Sequence, residues 1–191
     1  MKVPFVILIN GSPRKNGRTV KYLKEVIEGI KKEKGEYQLL HLSDFQILPC
    51  LGCYSVLPKN CTFPCVQKDD MEKIYSLLLK SQGIVLGSPS YWFSVSGLVK
   101  NFIDRLTSLE NNGFLLEGKI FAAISVARES GGDEVSHYLI SVFNEMGCII
   151  PPFASPFFNE NLKGSWGKKD LEILGRNIVR LARIINKANL L

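Results

Sequence analysis

Apolar residues fall into two alternating patterns along this chain. Short consecutive runs of Val, Ile and Leu, bounded by Gly, Ser or Pro, predict strands at Phe5–Ile9, Tyr37–Leu42, Gly83–Gly87, Ile120–Val126 and Cys148–Ile150. Between them, apolar residues recur every three or four positions and predict helices over Gly17–Lys34, Asp70–Lys80, Ser96–Leu109, Glu134–Met146 and Lys169–Asn189. The first run is apolar throughout, as a strand covered on both faces must be. Strands alternating with helices imply βαβ units and one doubly wound five-stranded parallel sheet with helices on both faces. Residues 43–69 and 151–167 are longer than the connections such a domain needs, which marks them as candidate functional loops. Trp166 and the second of these loops are candidates to cover a crevice or to meet a second subunit.

Composition narrows the setting. With 191 residues and 46% hydrophobic content, the whole chain, 1–191, reads as one domain that buries a core without disulfide or metal staples. The net charge of +6 points to an anionic partner, but Lys and Arg are spread along the chain. Aromatic residues gather in one loop rather than interleaving with cations along a groove, which argues against nucleic acid. The run Val3–Ile9 is too short for a membrane span and lacks a signal-peptide cleavage site, so a cytoplasmic protein without membrane contact is expected.

Candidate chemistry sits in the loops that follow strands. Asn10-Gly11-Ser12-Pro13-Arg14-Lys15-Asn16-Gly17-Arg18-Thr19 joins the first strand to the first helix, where backbone N–H groups and the helix dipole favour an anion. The spacing Gly11 to Gly17 and the presence of Arg18 do not fit a Walker A loop, and Ser12-Pro13 lacks the second glycine of a dinucleotide fingerprint. An ordinary strand-to-helix turn is the plain alternative. After the third strand, Tyr91, Trp92 and Phe93 offer flat apolar surface to an aromatic ring. In a flavodoxin-like strand order, the first and third strands flank the point where the order reverses, so both loops face one crevice.

Four cysteines crowd the first long loop as Cys50-x2-Cys53-x7-Cys61-x3-Cys65. In a reducing compartment such a group reads as a metal or redox site before a disulfide framework. An iron–sulfur cluster, zinc, a regulatory disulfide and four free thiols are the alternatives. Cys148, in an apolar run, reads as packing. His41 and His137 are isolated and read as structural, and nothing marks a catalytic triad.

Several of these motifs together resemble the NADPH-dependent FMN reductase and iron–sulfur flavoprotein family. The resemblance rests on Gly11 to Gly17 with Thr19, on Ser88-Pro89-Ser90-Tyr91-Trp92-Phe93 running on to Asp104-Arg105, and on Pro49 to Tyr54 with Cys65 to Met71. It implies a flavodoxin-like fold that binds flavin mononucleotide (FMN). The phosphate would rest on Ser12, Arg14, Asn16, Gly17, Arg18 and Thr19, and the ring against Pro89, Ser90, Tyr91, Trp92 and Phe93. Ala127, Gly131 and Gly132 correspond to a Gly-rich loop reaching the flavin, although Gly131-Gly132 equally fits a plain turn. The iron–sulfur branch implies a four-iron, four-sulfur cluster on Cys50, Cys53, Cys61 and Cys65. Here Val56 stands where that branch carries its third cysteine, and Cys61 is expected to swing in from a flexible loop. A flavin nearby gives a cluster a purpose, which favours it over zinc. By the same resemblance, electrons pass from NAD(P)H or reduced ferredoxin to a small acceptor such as a quinone, in a homodimer or homotetramer, the flavin carrying the chemistry. A protein that only relays single electrons between partners is the rival reading.

Overall fold

A computed structural model describes residues 3–159 and 166–188. The strands are β1 (Phe5–Asn10), β2 (Glu36–His41), β3 (Gly83–Pro89), β4 (Ile120–Ala127) and β5 (Phe157–Asn159). The helices are α1 (Arg18–Lys32), the single turn α2 (Cys53–Val56), α3 (Met71–Lys80), α4 (Gly97–Glu110), α5 (Gly132–Glu145) and α6 (Lys168–Ala188). All strands pair in parallel in the order β2-β1-β3-β4-β5. The fold is therefore α/β and flavodoxin-like.

Strand alternation divides the core in two. Ile7, Ile9, Ile84, Leu86 and Phe121 face α3, α4 and α5, whereas Val6, Leu8, Val85, Ala122 and Ile124 face α1 and α6. Every residue of β3 and β4 is buried, which is why these strands read as unbroken apolar runs. On the second face α1 and α6 meet backbone to backbone. A Cβ on Gly29 would lie 2.0 Å from the Glu172 carbonyl oxygen, and one on Gly175 would lie 2.1 Å from that of Val26. Any side chain at either position would push the helices apart and overpack the core, at about 1–3 kcal/mol or more.

The fifth strand departs from expectation. Cys148–Ile150 is not a strand: Ile149 forms one isolated bridge with Ile120, and Cys148 is buried in the core. Pro151 and Pro152 have no N–H to continue the ladder, so the chain bulges through Phe153, whose φ is +66°, before it pairs again. Ala154 and Pro156 accept from Ala123 and Ser125 N–H at 2.7 and 3.1 Å, and β5 follows beside Ser125–Ala127. The second long loop thus supplies the edge strand. Residues 160–165 and Asn189 lie outside the described residues. Trp166 packs on the α1/α6 layer, edge-on to Phe153 at 6.1 Å, and is not among the residues that line the crevice described next.

Candidate functional site

Strand order reverses between β1 and β3, and a crevice of about 480 Å³ opens beyond their carboxyl ends, within the range of ligand pockets. It is lined by Ser12, Arg14, Gly17, Arg18 and Thr19 on one side and Pro89, Ser90, Tyr91, Val126 and Arg128 on the other. Helix α1 enters it without a side-chain cap and without an acidic residue in its first turn. Its first N–H groups and its positive dipole end therefore face the cavity, an anion site by construction.

The loop is held in shape by residues beneath it. Buried Asn10 accepts from Ser12 N–H at 3.1 Å, which orients its amide so that Nδ2 donates to the Ser12 and Arg14 carbonyls at 3.2 and 3.4 Å. The same Nδ2 lies 3.0 Å from His41 Nδ1, which must accept, so His41 serves as a structural prop. Ser12 Oγ accepts from Arg14 N–H at 3.2 Å. Ser96, the N-cap of α4, donates from Oγ to the Gly11 carbonyl at 2.6 Å and accepts from Val99 N–H at 3.3 Å. Gly11 N–H in turn donates to the Gly87 carbonyl at 2.7 Å. A Cβ on Gly11 would meet Val99 Cγ2 at 2.0 Å, so only glycine permits this close approach of the loop to α4. Lys15 pairs with Asp44 instead of facing the crevice.

The aromatic segment is a tight turn in which Tyr91 and Ser94 exchange backbone hydrogen bonds at 2.9 and 3.1 Å. Its two central residues, Trp92 and Phe93, both have positive φ, +51° and +62°. Large aromatic residues rarely adopt that region, and such strain concentrates at ligand clamps and switches. Trp92 is 96% exposed at the tip. Of the residues expected around the flavin, Asn16, Trp92, Phe93, Ala127, Gly131 and Gly132 are not among those lining the crevice. Gly131, with φ +81°, instead supports the turn from below: a Cβ there would meet Ser90 Oγ at 2.6 Å and Phe93 Cα at 3.0 Å. Val126, expected from the family resemblance to touch the ring through its backbone, does line the crevice, whereas Arg128 as a lining residue and the loop-fixing role of Ser96 did not stand out from the sequence. Their signals were faint, a cation beside a Gly-Gly pair and a serine three residues before an apolar run.

The cysteines converge in a second place. Cys50, Cys53, Cys61 and Cys65 all line one small cavity of about 70 Å³, together with Asn60, Thr62, Arg105 and Ser108. Burial raises the Cys61 thiol pKa, and Cys50, Cys65 and Cys53 add to the rise, as closely placed sulfurs do. Gly52 N–H approaches Cys50 Sγ at 3.5 Å. Among the described residues no three His, Cys, Asp or Glu side chains converge on a single-ion site. Val56 points outward and is 81% exposed.

Contrary to expectation, the loop around Cys61 is pinned. Asn111 and Asn112 Nδ2 both donate to the Cys61 carbonyl at 2.8 Å, and Ser108 Oγ donates to that of Thr62 at 2.6 Å. Helix α4 and its C-terminal end thus carry the cavity's floor. Asn101 Nδ2 also donates to the Ile47 carbonyl at 2.8 Å, tying the entry of the loop to the same helix. By contrast Cys148 is isolated in the core, where burial pushes its thiol up to about 12 against a smaller lowering by Lys119.

Arg105 and Asp69 form a buried pair behind the cysteines, with side chains 1% and 3% exposed. Burial alone would raise the Asp69 pKa, but hydrogen bonds from Arg105 and from Leu48 and Met71 N–H hold it below the usual carboxylate value. A depressed carboxylate stabilises the fold fully above its unfolded value, about 3.9, and loses that contribution as pH falls through the folded value. Asp69→Asn is therefore expected to cost about 3–5 kcal/mol at pH 7 by stranding Arg105. In denaturation titrations this deficit should shrink as the pH falls below about 4, where Asp69 of the unfolded chain begins to protonate while the folded carboxylate stays ionised, and should be smallest once the pH passes below the folded value. A deficit independent of pH would mean that Asp69 is not the ionised partner.

The sheet order, with a crevice at its switch point, defines a flavodoxin-like α/β protein. The family pattern described as NADPH-dependent FMN reductase matches residues 4–161. This chain belongs to that family, an FMN-binding family of oxidoreductases, and to its iron–sulfur flavoprotein relatives. An iron–sulfur flavoprotein of Archaeoglobus fulgidus is 35% identical over 148 residues, covering 76% of this chain and 71% of that protein. A second from the same organism is 32% identical over 165 residues, covering 86% and 72%. Among solved structures, RosB with a bound 8-demethyl-8-formylriboflavin-5'-phosphate intermediate aligns with a TM-score of 0.79 at 14% identity, over 97% of this chain and 81% of RosB. A flavodoxin from the domain Archaea aligns at 0.64 and 15% identity, over 94% and 99%. Among the described residues no helix is long and apolar enough to cross a membrane.

Proposed function

We propose that this chain binds FMN in the crevice between β1 and β3 and uses it to pass electrons from NAD(P)H or a reduced ferredoxin to a small acceptor such as a quinone. The observation that carries this reading is the uncapped start of α1, which opens into a cavity lined by Ser12, Arg14, Arg18 and Thr19, in a chain of an FMN-binding family. A phosphate fits that donor set. FMN, when bound, supplies the interconversion of two-electron and one-electron transfer. The chain's own residues position it: backbone N–H groups and the Ser12 and Thr19 hydroxyls hold the phosphate, Arg14, Arg18 and Arg128 balance its charge, and Tyr91 covers the ring.

The cysteine cavity supports a second centre. Four cysteines on one wall, free of disulfides, backed by a buried guanidinium and approached by a backbone N–H, suit an anionic iron–sulfur group. A lone zinc would gather its thiolates to about 2.3 Å from one point, a closer convergence than these side chains present. That cavity also favours the reading in which the protein relays single electrons between protein partners without a small-molecule turnover. We place the protein in the cytoplasm, as a homodimer or homotetramer.

A spectrum of protein purified without oxygen, with iron and sulfide analysis, tests both centres. Flavin bands with a broad iron–sulfur shoulder are expected, and mixing with NADPH, NADH or reduced ferredoxin should identify the donor by the rate at which the flavin bleaches. Absence of flavin even after added FMN would sink the central reading.

A further inference from the structure

Arg105 holds donor capacity in reserve. Its Nη1 donates to the Leu48 carbonyl at 3.0 Å and to Asp69 Oδ2, and its Nη2 donates to Asp69 Oδ1 at 3.2 Å. Its Nε–H is buried and has no hydrogen-bond partner among the described residues. Leaving a charged group's donor unmet in the interior is costly, so an orphan of this kind calls for a partner. The side chain itself belongs to the wall of the four-cysteine cavity, where it raises no objection to negative charge: Cys65 is close enough to interact electrostatically with the guanidinium.

We propose that Arg105 is a positioning residue for the iron–sulfur centre, donating its Nε–H to the sulfur face of the bound group and setting its reduction potential. This rests on the cluster reading above and goes beyond it by assigning a role to a side chain that ligates nothing. Four thiolates around an iron–sulfur core leave a net negative group, and adding an electron makes it more negative. A fixed cation with a free N–H stabilises the reduced state more than the oxidised one, and hydrogen bonds to the sulfurs are a known control of such potentials. Asp69 completes the device. By occupying both Nη atoms it fixes the plane of the guanidinium, so that only the edge carrying Nε remains for the cavity.

The test uses the full chain, purified without oxygen and reconstituted with iron and sulfide, and reads iron content, FMN content and the cluster potential. Arg105→Lys keeps the charge and its pairing with Asp69 but removes the Nε–H donor. Iron and FMN contents should match those of the unsubstituted protein, while cluster reduction becomes at least about tenfold less favourable, about 59 mV for a one-electron couple. A cluster potential unchanged at equal iron content overturns the role of Arg105. If that variant does not fold, Arg105→Met with Asp69→Leu removes the buried pair without stranding either charge, an exchange that cores tolerate. The same downward shift, larger in size, is then expected, and an unchanged potential again overturns the role. An unsubstituted chain that takes up no iron overturns this inference together with the cluster reading, whereas iron with identical potentials overturns this inference alone.

Discussion

Ser12→Ala combined with Thr19→Val lowers FMN affinity by about 100-fold or more, while the apo-protein keeps its stability to within about 1–2 kcal/mol. Each hydroxyl would lose a hydrogen bond to a charged phosphate, worth about 1.5–3 kcal/mol, and about 2.7 kcal/mol in total already makes 100-fold. Both side chains are buried, and Thr19 is replaced by a residue of similar shape, so the loop keeps its packing. The Ser12 change also removes the acceptor for Arg14 N–H, which adds to the loss. Thr19→Ser, which retains the hydroxyl, serves as the control and should stay within about threefold, less than the value of one such hydrogen bond. Titrating FMN into apo-protein and following quenching of its fluorescence gives both constants. Native affinity in the double variant would move the phosphate away from α1.

Cys61→Ser abolishes stable iron binding, and Cys148→Ser leaves it unchanged. Cys61 stands in the wall of the four-cysteine cavity with its carbonyl clasped by Asn111 and Asn112, whereas Cys148 is buried among core residues and does not line that cavity. Serine is a poor ligand for iron that prefers soft thiolates, so losing one of four corners should strip the centre. Adding Val56→Cys to Cys61→Ser does not restore iron, because the side chain at position 56 points to solvent. Iron and sulfide per chain after anaerobic reconstitution decide the matter, with FMN content as the check that the fold persists. Full iron in Cys61→Ser would return Cys61 to the status of a spare thiol.

Much of this molecule was legible before its fold was known. The all-apolar run of β1 and the helical spacing of Val20, Leu23, Val26, Ile27 and Ile30 in α1 are local patterns, dictated by which face each residue must bury. The turn between them carries its own chemistry, since Ser12, Gly17 and Thr19 stand where a parallel strand feeds a helix. The crowding of four cysteines within sixteen positions was likewise legible, and the structure brings all four to one cavity wall.

What only the tertiary structure decided depends on residues distant in sequence. Consecutive apolar residues at 148–150 looked like a strand, but the edge position beside β4 went to Phe157–Asn159 once Pro151 and Pro152 broke the ladder. Trp92 read as a ring platform, yet the backbone exchange between Tyr91 and Ser94 turns it into solvent. Cys61 looked loose, since nothing nearby in sequence shows that two asparagines some fifty residues away hold its carbonyl. Arg105, in an amphipathic helix, passes for a surface cation until Asp69, 36 residues earlier, is seen beside it in the interior. The sequence by itself determined the layers, the polar loop that feeds α1 and the crowding of four cysteines, because those follow from periodicity and spacing along the chain. Which side chains share a wall was decided by the strand order β2-β1-β3-β4-β5 and by long-range pairing, for which no local pattern codes.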